Sequence, residues 1–295
     1  MTRCNRRWVF PFAVALALAF FGSLGVAQNQ PPFFIQLADT QFGAFTQDKD
    51  FVQETANYEF AVANINRIRP AFVVICGDLI NKGGDPAQLA EYKRVTAKID
   101  PSIPVYAVAG NHDVGNQPTL ESIAAYRRNV GPDYYSFQRA GIYGIVLDSS
   151  LLGTPASAQA LAAEQEAWVR QELAKAQTSG ARHIVVFQHH SFFLEKADEP
   201  AQYFNIPLEP RRRYLDLLKA AGVRYVFAGH YHRNAFGRDG QLEMITTGPV
   251  GRPNGADPSG LRIVTISDEA LQHTYYGLGS IPNVFPPPPA AARRP

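Results

Sequence analysis

The sequence VVICGDLIN, residues 73–81, joins a run of β-forming residues directly to polar residues. The same order, a strand-forming run followed at once by Asp, Asn or His, recurs along the chain. The recurrences are ADTQ at 38–41, GNHD at 110–113, QHH at 188–190 and GHYH at 229–232. Successive strand ends of an α/β fold converge on one edge of the sheet, where loops carry the chemistry. The pattern therefore predicts a metal site at that edge, with two metals.

The order of the predicted elements places these motifs in an α/β protein with mixed sheets. Apolar spacing predicts helices at 51–68, 86–99, 119–129, 158–178 and 211–221. Strands are predicted at 33–37, 72–75, 105–109, 134–139, 142–147, 183–187, 225–228, 242–246, 261–266 and 273–276. From residue 238 onward the pattern predicts strands only. A pattern of roughly 250 residues fits one domain.

The composition fits a globular protein and does not suggest a nucleic-acid-binding surface. Of the 295 residues, 46% are hydrophobic and 18% are charged, and the formal net charge is +2. A nucleic-acid-binding domain would show a clustered basic excess. We therefore expect the Lys and Arg residues to form a solvated surface, with no nucleic-acid partner.

The first 27 residues predict a secretory signal peptide. Arg3, Arg6 and Arg7 give a positive start, residues 8–21 are apolar, and Gly25-Val26-Ala27 is a small-x-small cleavage pattern. The protein is thus expected to be exported, to the periplasm or the extracellular space. The Arg6-Arg7 pair leaves open the twin-arginine route against an ordinary basic start. An uncleaved anchor is a further alternative, although the apolar run is short for a span of ~20 residues.

The rest of the chain divides into one domain and a tail. Residues 28–278 are predicted to form the domain, and residues 279–295, which include four consecutive prolines, a disordered tail. Cys4 lies in the predicted signal, so the mature chain keeps only Cys76 and has no internal disulfide. Cys76 lies in an apolar strand and is expected to be a small buried hydrophobe. No membrane span is expected in the mature chain.

The polar residues at the strand ends are of the types that bind metals. Asp39 or Asp78 alone would be more typical of a turn or a helix cap. Equivalent places hold further polar residues: Asn111, His189, His230 and His232. A mixed set of Asp, Asn and His suits Mn²⁺, Fe or Zn²⁺ better than a cation that prefers oxygen alone. Glycines before several of these residues allow sharp backbone turns close to a metal.

Taken together, the motifs resemble those of the calcineurin-like metallophosphoesterases. Within that superfamily the sequence is most similar to the calcineurin-like phosphoesterase domain-containing protein 1 group. The resemblance rests on residues 36–43, 76–80, 110–116, 186–189 and 229–235, and it spans residues 33–276. It implies a four-layer α/β/β/α sandwich of two mixed sheets flanked by helices, with the metals at the strand ends.

The resemblance also implies a role for each site residue. Asp78 would bridge the two metals, and Asp39 and His232 would hold the first. The second metal would be held by Asn111, His189 and His230. His112 would point at the substrate without binding a metal.

Such a site fits hydrolysis of a phosphate ester. Two cations about 3.5–4 Å apart can activate a bridging hydroxide and stabilise the attacking and leaving oxygens. His112 could donate a proton to the leaving oxygen or stabilise developing charge. Asp113 could orient His112 or cap the next turn, and the sequence leaves both roles open.

Two positions leave further alternatives open. Gln41 stands where many superfamily members have His, although the most similar group also has Gln. Its carbonyl oxygen is a weaker ligand than imidazole for softer metals, so Gln41 is a candidate ligand whose participation the sequence does not decide. His190 diverges from His189 along an extended segment, which leaves a rim position or a substrate contact.

The leading hypothesis is a phosphomonoesterase, because the most similar group is associated with serine/threonine phosphatase activity. A phosphodiesterase acting on a nucleotide or a lipid-derived substrate is the alternative within the enzymes. A non-catalytic metal- or phosphate-binding module is the alternative outside them, but it would not require His112. Export favours a small phosphate ester outside the cytoplasm over a cytoplasmic phosphoprotein.

Overall fold

The computed structural model describes residue 1 and residues 31–153 and 158–285 of the 295-residue chain. Its strands are β1 (Phe33–Leu37), β2 (Val73–Cys76), β3 (Val105–Val108), β4 (Tyr135–Arg139), β5 (Ile142–Val146), β6 (His183–Phe187), β7 (Tyr225–Ala228), β8 (Ala235–Asp239), β9 (Leu242–Thr246), β10 (Gly260–Ile266) and β11 (Leu271–Gly277). Its helices are α1 (Val52–Ile68), α2 (Pro86–Thr96), α3 (Asn111–Val114), α4 (Leu120–Asn129), α5 (Gln159–Thr178) and α6 (Leu208–Ala220).

The strands form two mixed sheets, which confirms the predicted fold class. The first sheet has the order β11-β10-β1-β2-β3, and the second has the order β4-β5-β6-β7-β9-β8. In the first sheet β1, β2 and β3 run parallel, while β10 pairs antiparallel with β1. In the second sheet β5, β6, β7 and β9 run parallel, with β4 and β8 antiparallel at the two edges.

Alternation along the strands builds three layers of core. Phe34 and Val74 lie in a middle core shared by both sheets, while their neighbours Ile35 and Val73 pack with α1, α2 and α4 on the other face. Such alternation follows from the two-residue repeat of a strand. Helices α5 and α6 cover the outer face of the second sheet in the same way. The result is the helix-sheet-sheet-helix arrangement that the resemblance implies.

Some elements differ from the sequence prediction. Helix α3 and strand β8 were not predicted; α3 has four residues, too few to show a period. Helix α6 begins at Leu208 instead of residue 211 because Pro210 sits in its first turn, where a missing N–H costs nothing. Cys76 is buried and free, as predicted.

The ends of the chain add two observations. Ile281 is buried in the core beneath α1, and the ring of Phe285 lies 4.7 Å from that of Phe33, so the chain stays packed on the domain to residue 285. The predicted signal peptide and the last ten residues of the predicted tail lie outside the described residues. Within the described part, no helix is both long and apolar enough to cross a membrane.

Candidate metal centre

The predicted ligands follow parallel strands that end on the same side of the molecule. Asp39 and Asp78 lie two residues beyond the ends of β1 and β2, and Asn111 follows β3. His189 and His230 lie two residues beyond the ends of β6 and β7 in the other sheet. Because neighbouring parallel strands end together, each sheet delivers its own polar residues to one edge, as the sequence predicts.

The backbone at this edge adopts a conformation that side chains usually avoid. Five of the predicted ligands have positive φ: Asp39 (51°), Gln41 (38°), Asp78 (50°), His230 (68°) and His232 (55°). Left-handed backbone at non-glycine residues is uncommon and costs of order 1–3 kcal/mol each in the less favourable cases. Such residues cluster at functional sites, where the surroundings hold the strained conformation.

The structure brings the side chains into two groups that share one carboxylate. The first ligand group is Asp39, Asp78 and His232, and the second ligand group is Asp78, His189 and His230. Within each group, one possible ligand atom per residue lies within 4.8 Å of the others. Asp78 belongs to both groups, as a residue with the bridging role that the resemblance implies would have to.

Backbone carbonyls fix the protonation of the candidate histidine ligands. The contacts are Nδ1 of His189 with the Cys76 carbonyl (2.8 Å), Nδ1 of His232 with the Arg252 carbonyl (2.6 Å) and Nε2 of His230 with the Tyr203 carbonyl (3.0 Å). A carbonyl can only accept, so the contacting ring nitrogen carries the hydrogen. In each neutral ring the other nitrogen therefore keeps a lone pair, which is the state of a metal-ligating histidine.

The atoms that face Nε2 of His189 are both acceptors. Nε2 of His189 lies 3.2 Å from Oδ2 of Asp78 and 3.0 Å from Oδ1 of Asn111. With the His189 proton on Nδ1, no hydrogen lies among these three atoms, and a cation would satisfy all of them. The amide nitrogen of Asn111 is turned away, donating to Asn116 at 3.0 Å. The donor set therefore fits a bound divalent metal.

The same arrangement explains the shifted pKa of the buried pair. Burial lowers the pKa of His189, but the charges of Asp78 and Asp39, together with the hydrogen bonds to Asp78 and the Cys76 carbonyl, outweigh it and raise the pKa to about 9. Burial also opposes ionisation of Asp78, yet the facing histidine holds the pKa of that carboxyl well below its ordinary value. A proton on Nε2 of His189 thus occupies the place that a cation would take, so metal and proton compete for it.

Gln41 offers an unpaired oxygen at the same edge. Its Nε2 donates to Oδ1 of Asn81 at 3.2 Å, whereas its buried Oε1 has no hydrogen-bond partner in the described part of the chain. A buried acceptor without a partner is unfavourable by about 1–3 kcal/mol. An unpartnered buried oxygen is what a ligand shows when its cation is removed, and it supports Gln41 as a ligand to the first cation.

Glycines let the loops approach one another. A Cβ on Gly77, which has φ of 80°, would overlap the ring of His189. A Cβ on Gly110 would overlap the backbone and carboxylate of Asp78. At these two positions only glycine allows the bridging carboxylate and the histidine from the other sheet to meet.

His112 lies beside the bridging carboxylate. Its backbone N–H donates to Oδ1 of Asp78 at 2.8 Å, and its ring Nδ1 lies 2.6 Å from the carbonyl oxygen of Asn81. Nδ1 therefore carries a hydrogen, and Nε2 has no partner among the described residues. The ring is not part of either ligand group, in agreement with the role that the resemblance implies.

Asp113 does not hold the ring of His112. Its carboxylate accepts from the backbone N–H groups of Leu79 (3.0 Å), Ile80 (3.3 Å) and Gly110 (2.9 Å). Of the two roles that the sequence leaves open for Asp113, these bonds correspond to the cap. The group that orients His112 is the carbonyl of Asn81. Asp113 therefore ties two of the metal-site loops together, and these contacts are those of a positioning residue; its predicted catalytic role stays a prediction.

His190 lies within the site, beside the second ligand group. Its ring centroid lies 4.3 Å from that of His230 and 5.1 Å from that of His189. Its Nδ1 lies 2.9 Å from Oγ of Ser149. Burial and the neighbouring rings of His230 and His189 hold the pKa of His190 well below its ordinary value. The ring is thus neutral and meets a hydroxyl, unlike the ligand rings, which meet carbonyls.

The sequence did not identify Ser149 or Tyr203 as part of the site. Tyr203 supplies the carbonyl that holds His230, its ring lies 4.9 Å from that of His230, and its hydroxyl accepts from Asn111 at 3.4 Å. No motif marks either residue. For Ser149, the one available signal is its position shortly after β5, which runs parallel to β6 and so ends at the same edge.

Comparison with known proteins agrees with this geometry. Residues 34–234 match the family model described as calcineurin-like phosphoesterase. A Bos taurus protein named serine/threonine-protein phosphatase CPPED1 is 40% identical over 95% of this chain and 95% of its own length. The Homo sapiens protein of the same name is 38% identical over 95% of each chain.

A solved structure shows the same fold at low identity. It is a dimetal phosphatase from Danio rerio, which aligns with a TM-score of 0.62 and 16% sequence identity. The alignment covers 84% of this chain and 97% of the other. The likeness concerns the fold alone and agrees with the two sheets and flanking helices described above.

Proposed function

This chain belongs to the calcineurin-like phosphoesterase family and is a phosphoric ester hydrolase. From that premise we propose that it hydrolyses phosphomonoesters and uses two divalent cations to do so. The observation that carries the proposal is the sharing of Asp78 between the two ligand groups. The curated relatives above bear the name of a serine/threonine-protein phosphatase, which supports monoesters over diesters.

The proposed roles follow from the contacts. Asp78 would be shared by the two cations. Asp39 and His232, with Gln41 as a further candidate, would hold the first cation, and His189, His230 and Asn111 would hold the second. When bound, the cations supply Lewis-acid charge that activates water and neutralises the phosphoryl group. The mixed oxygen and nitrogen ligands suit Mn²⁺, Fe or Zn²⁺.

His112 is proposed to act on the leaving group. Its Nδ1 is held by a backbone carbonyl, so its unpartnered Nε2 is the atom available to substrate. In the protonated ring, Nε2–H donates a proton to the leaving oxygen as the ester bond breaks. The neighbouring Asp78 carboxylate, bonded to the backbone of His112, places this ring next to the bridging position.

The proposed substrate is a small phosphomonoester outside the cytoplasm. Export rests on the basic start, the apolar run and the cleavage pattern of residues 1–27. Expression with cell fractionation should yield a chain that begins near Gln28 in the exported fraction. A full-length chain in the cytoplasm would contradict export, and a full-length chain in the membrane would indicate an uncleaved anchor. Replacing both Arg6 and Arg7 with Lys should block export if the twin-arginine route is used.

The activity is tested on metal-depleted protein. Purified chain is stripped with a chelator, reloaded with Mn²⁺, Fe²⁺ or Zn²⁺, and assayed against an aryl phosphomonoester, an aryl phosphodiester and a phosphoserine peptide. We expect metal-dependent turnover with the monoester fastest. Faster turnover of the diester would make the chain a phosphodiesterase. Tight metal binding without turnover of any ester would favour a non-catalytic binding module.

A further inference from the structure

Ser149 fixes the hydrogen position on His190. Oγ of Ser149 accepts from the backbone N–H groups of His189 (3.2 Å) and His190 (2.8 Å). A serine hydroxyl has two lone pairs and one hydrogen. Both lone pairs are therefore in use, and the single hydrogen is left for the third contact, with Nδ1 of His190 at 2.9 Å.

The proton of the His190 ring consequently lies on Nε2. Nδ1 receives the Ser149 hydrogen and must be the acceptor, so the hydrogen of the ring itself lies on the other nitrogen. Nε2 has no hydrogen-bond partner within the described residues. It is also not one of their buried atoms that lack a partner, so it is exposed to solvent. An accessible N–H donor thus lies beside the second ligand group.

The hydrogen of the His190 ring is placed differently from those of the candidate ligand histidines. In His189, His230 and His232 a carbonyl takes the hydrogen and leaves a lone pair for a cation. In His190 the Ser149 hydroxyl, whose lone pairs are already in use, donates to the lone pair on Nδ1, and the hydrogen on Nε2 stays free. The ring packs 4.3 Å from His230 and is held there without being able to compete for the metal through Nδ1.

We propose that His190 contacts the substrate and that its Nε2–H donates a hydrogen bond to a non-bridging oxygen of the phosphoryl group. The inference rests on the proposed function, since it names a further contact of the same site. A donor fixed in advance stabilises charge that develops on phosphoryl oxygens without reorganisation during the reaction. Ser149 is then a positioning residue, because it acts only by setting the hydrogen of His190.

Two substitutions separate a donor from a packing role. His190→Gln keeps an N–H donor at the end of the side chain, whereas His190→Phe keeps an aromatic ring against His230 and removes the donor. We expect His190→Phe to lower kcat/KM by roughly 100-fold and to raise the inhibition constant of inorganic phosphate, because the donor contacts phosphoryl oxygens in both the bound and the reacting state. His190→Gln should retain most of the activity. Metal content should be unchanged in both.

Several outcomes would overturn the inference. A His190→Phe variant as active as the wild type, or a His190→Gln variant as impaired as His190→Phe, would show that the ring matters only by packing. His183→Gln is the control for loss of a histidine, because His183 contacts the Ser267 carbonyl at the start of β6, away from the site. An inert wild-type protein in the same assay would instead refute the proposed function, and this inference with it.

The hydrogen position can be measured without turnover. Long-range ¹H–¹⁵N spectra of histidine-labelled protein loaded with diamagnetic Zn²⁺ distinguish a protonated from an unprotonated ring nitrogen. We expect His190 to show a protonated Nε2 and an unprotonated Nδ1, and Ser149→Ala to abolish this preference. An unprotonated Nε2 in the wild-type protein would refute the proposal whatever the kinetics, because the donor would then be absent.

Discussion

Oδ2 of Asp78 lies 3.2 Å from Nε2 of His189, although the two residues come from different sheets and both side chains are buried. A buried carboxylate and imidazole at this distance are favourable only if a proton or a cation lies between them. The pair is therefore the point at which folding, protonation and metal binding depend on one another.

Replacing the shared carboxylate should remove both cations. Asp78→Asn takes away the charge common to both ligand groups, so metal content measured by elemental analysis should fall at both positions. Activity should fall by more than about 100-fold, since even outer partners of metal ligands contribute 10- to 100-fold.

The matched control for this change is Asp216→Asn. Asp216 is exposed and forms a surface ion pair with Lys219 at 3.5 Å, which contributes little to stability. Retention of two cations by Asp78→Asn would contradict the bridging role.

The metal-free protein should lose stability as the pH rises toward 9. The charge of Asp78, opposed by burial, raises the pKa of His189 to about 9 in the folded protein. The folded state then keeps a proton that the unfolded state releases near pH ~6.5, so this stabilisation is complete below that pH and is lost as the pH approaches the folded pKa. The slope is about 1.4 kcal/mol per pH unit for one proton. Urea unfolding of chelated protein measures it.

His189→Gln supplies the comparison for the pH dependence. The variant lacks the titrating ring and should show a shallower decline over the same range. The metal-loaded wild-type protein should also resist the decline, because the cation replaces the proton. Equal slopes for the metal-free wild type and His189→Gln would rule out His189 as the titrating group.

Gln41 can be tested by removing its oxygen. If Gln41 binds the first cation, Gln41→Ala should weaken one of two binding events in a calorimetric Mn²⁺ titration, and Gln41→His should strengthen it, since imidazole is the better ligand for softer metals. If Gln41 is not a ligand, Gln41→Ala should leave both events unchanged and should relieve an unpartnered buried oxygen.

His112→Ala should slow hydrolysis and spare the metals. General acid catalysis contributes roughly 10²- to 10⁴-fold, so kcat should fall within that range with two cations still bound. A substrate with a very good leaving group, such as a dinitrophenyl phosphate, should be affected less, because it needs no proton. Parallel loss of metal and activity would contradict the assignment of His112 to the leaving group.

Asp148→Asn should gain stability relative to the wild-type protein as the pH rises. Burial, with a contribution from Asp133, raises the pKa of Asp148 to about 8, and its Oδ2 has no partner among the described residues. The folded state therefore favours the protonated acid, and wild-type stability relative to Asp148→Asn should fall as the pH rises from about 4 to about 8. Thermal unfolding of both proteins across this range measures the difference. A difference that does not change with pH would show that Asp148 stays ionised.

Much of the site was predictable because its candidate ligands are recognisable by side-chain type. Asp39, Asp78 and His189 each interrupt an apolar run at a strand end, and the structure places all three at one edge. The groups that orient the rings were not predictable, because they are backbone carbonyls. The carbonyl oxygens of Cys76 and Arg252 hold the rings of His189 and His232, and every residue has such an oxygen.

The fold was predictable to a similar depth. Alternating strands and helices predicted an α/β fold with mixed sheets, whereas the order of the strands within each sheet depends on tertiary pairing that local sequence does not show. The short helix α3 and strand β8 escaped prediction because their formation depends on tertiary contacts. Helix α3, for instance, begins where Asp113 accepts the N–H of Gly110, and the same carboxylate accepts from Leu79 on another loop. Local sequence cannot reveal a contact that spans two loops.

The candidate ligands come from both sheets, with Asp39, Asp78 and Asn111 following strands of one and His189, His230 and His232 following strands of the other. A cation held by both sets would link the two sheets at the edge where these strands end. Loss of the metal would then do more than stop hydrolysis: it would remove a link between the two sheets and lower the free energy of unfolding.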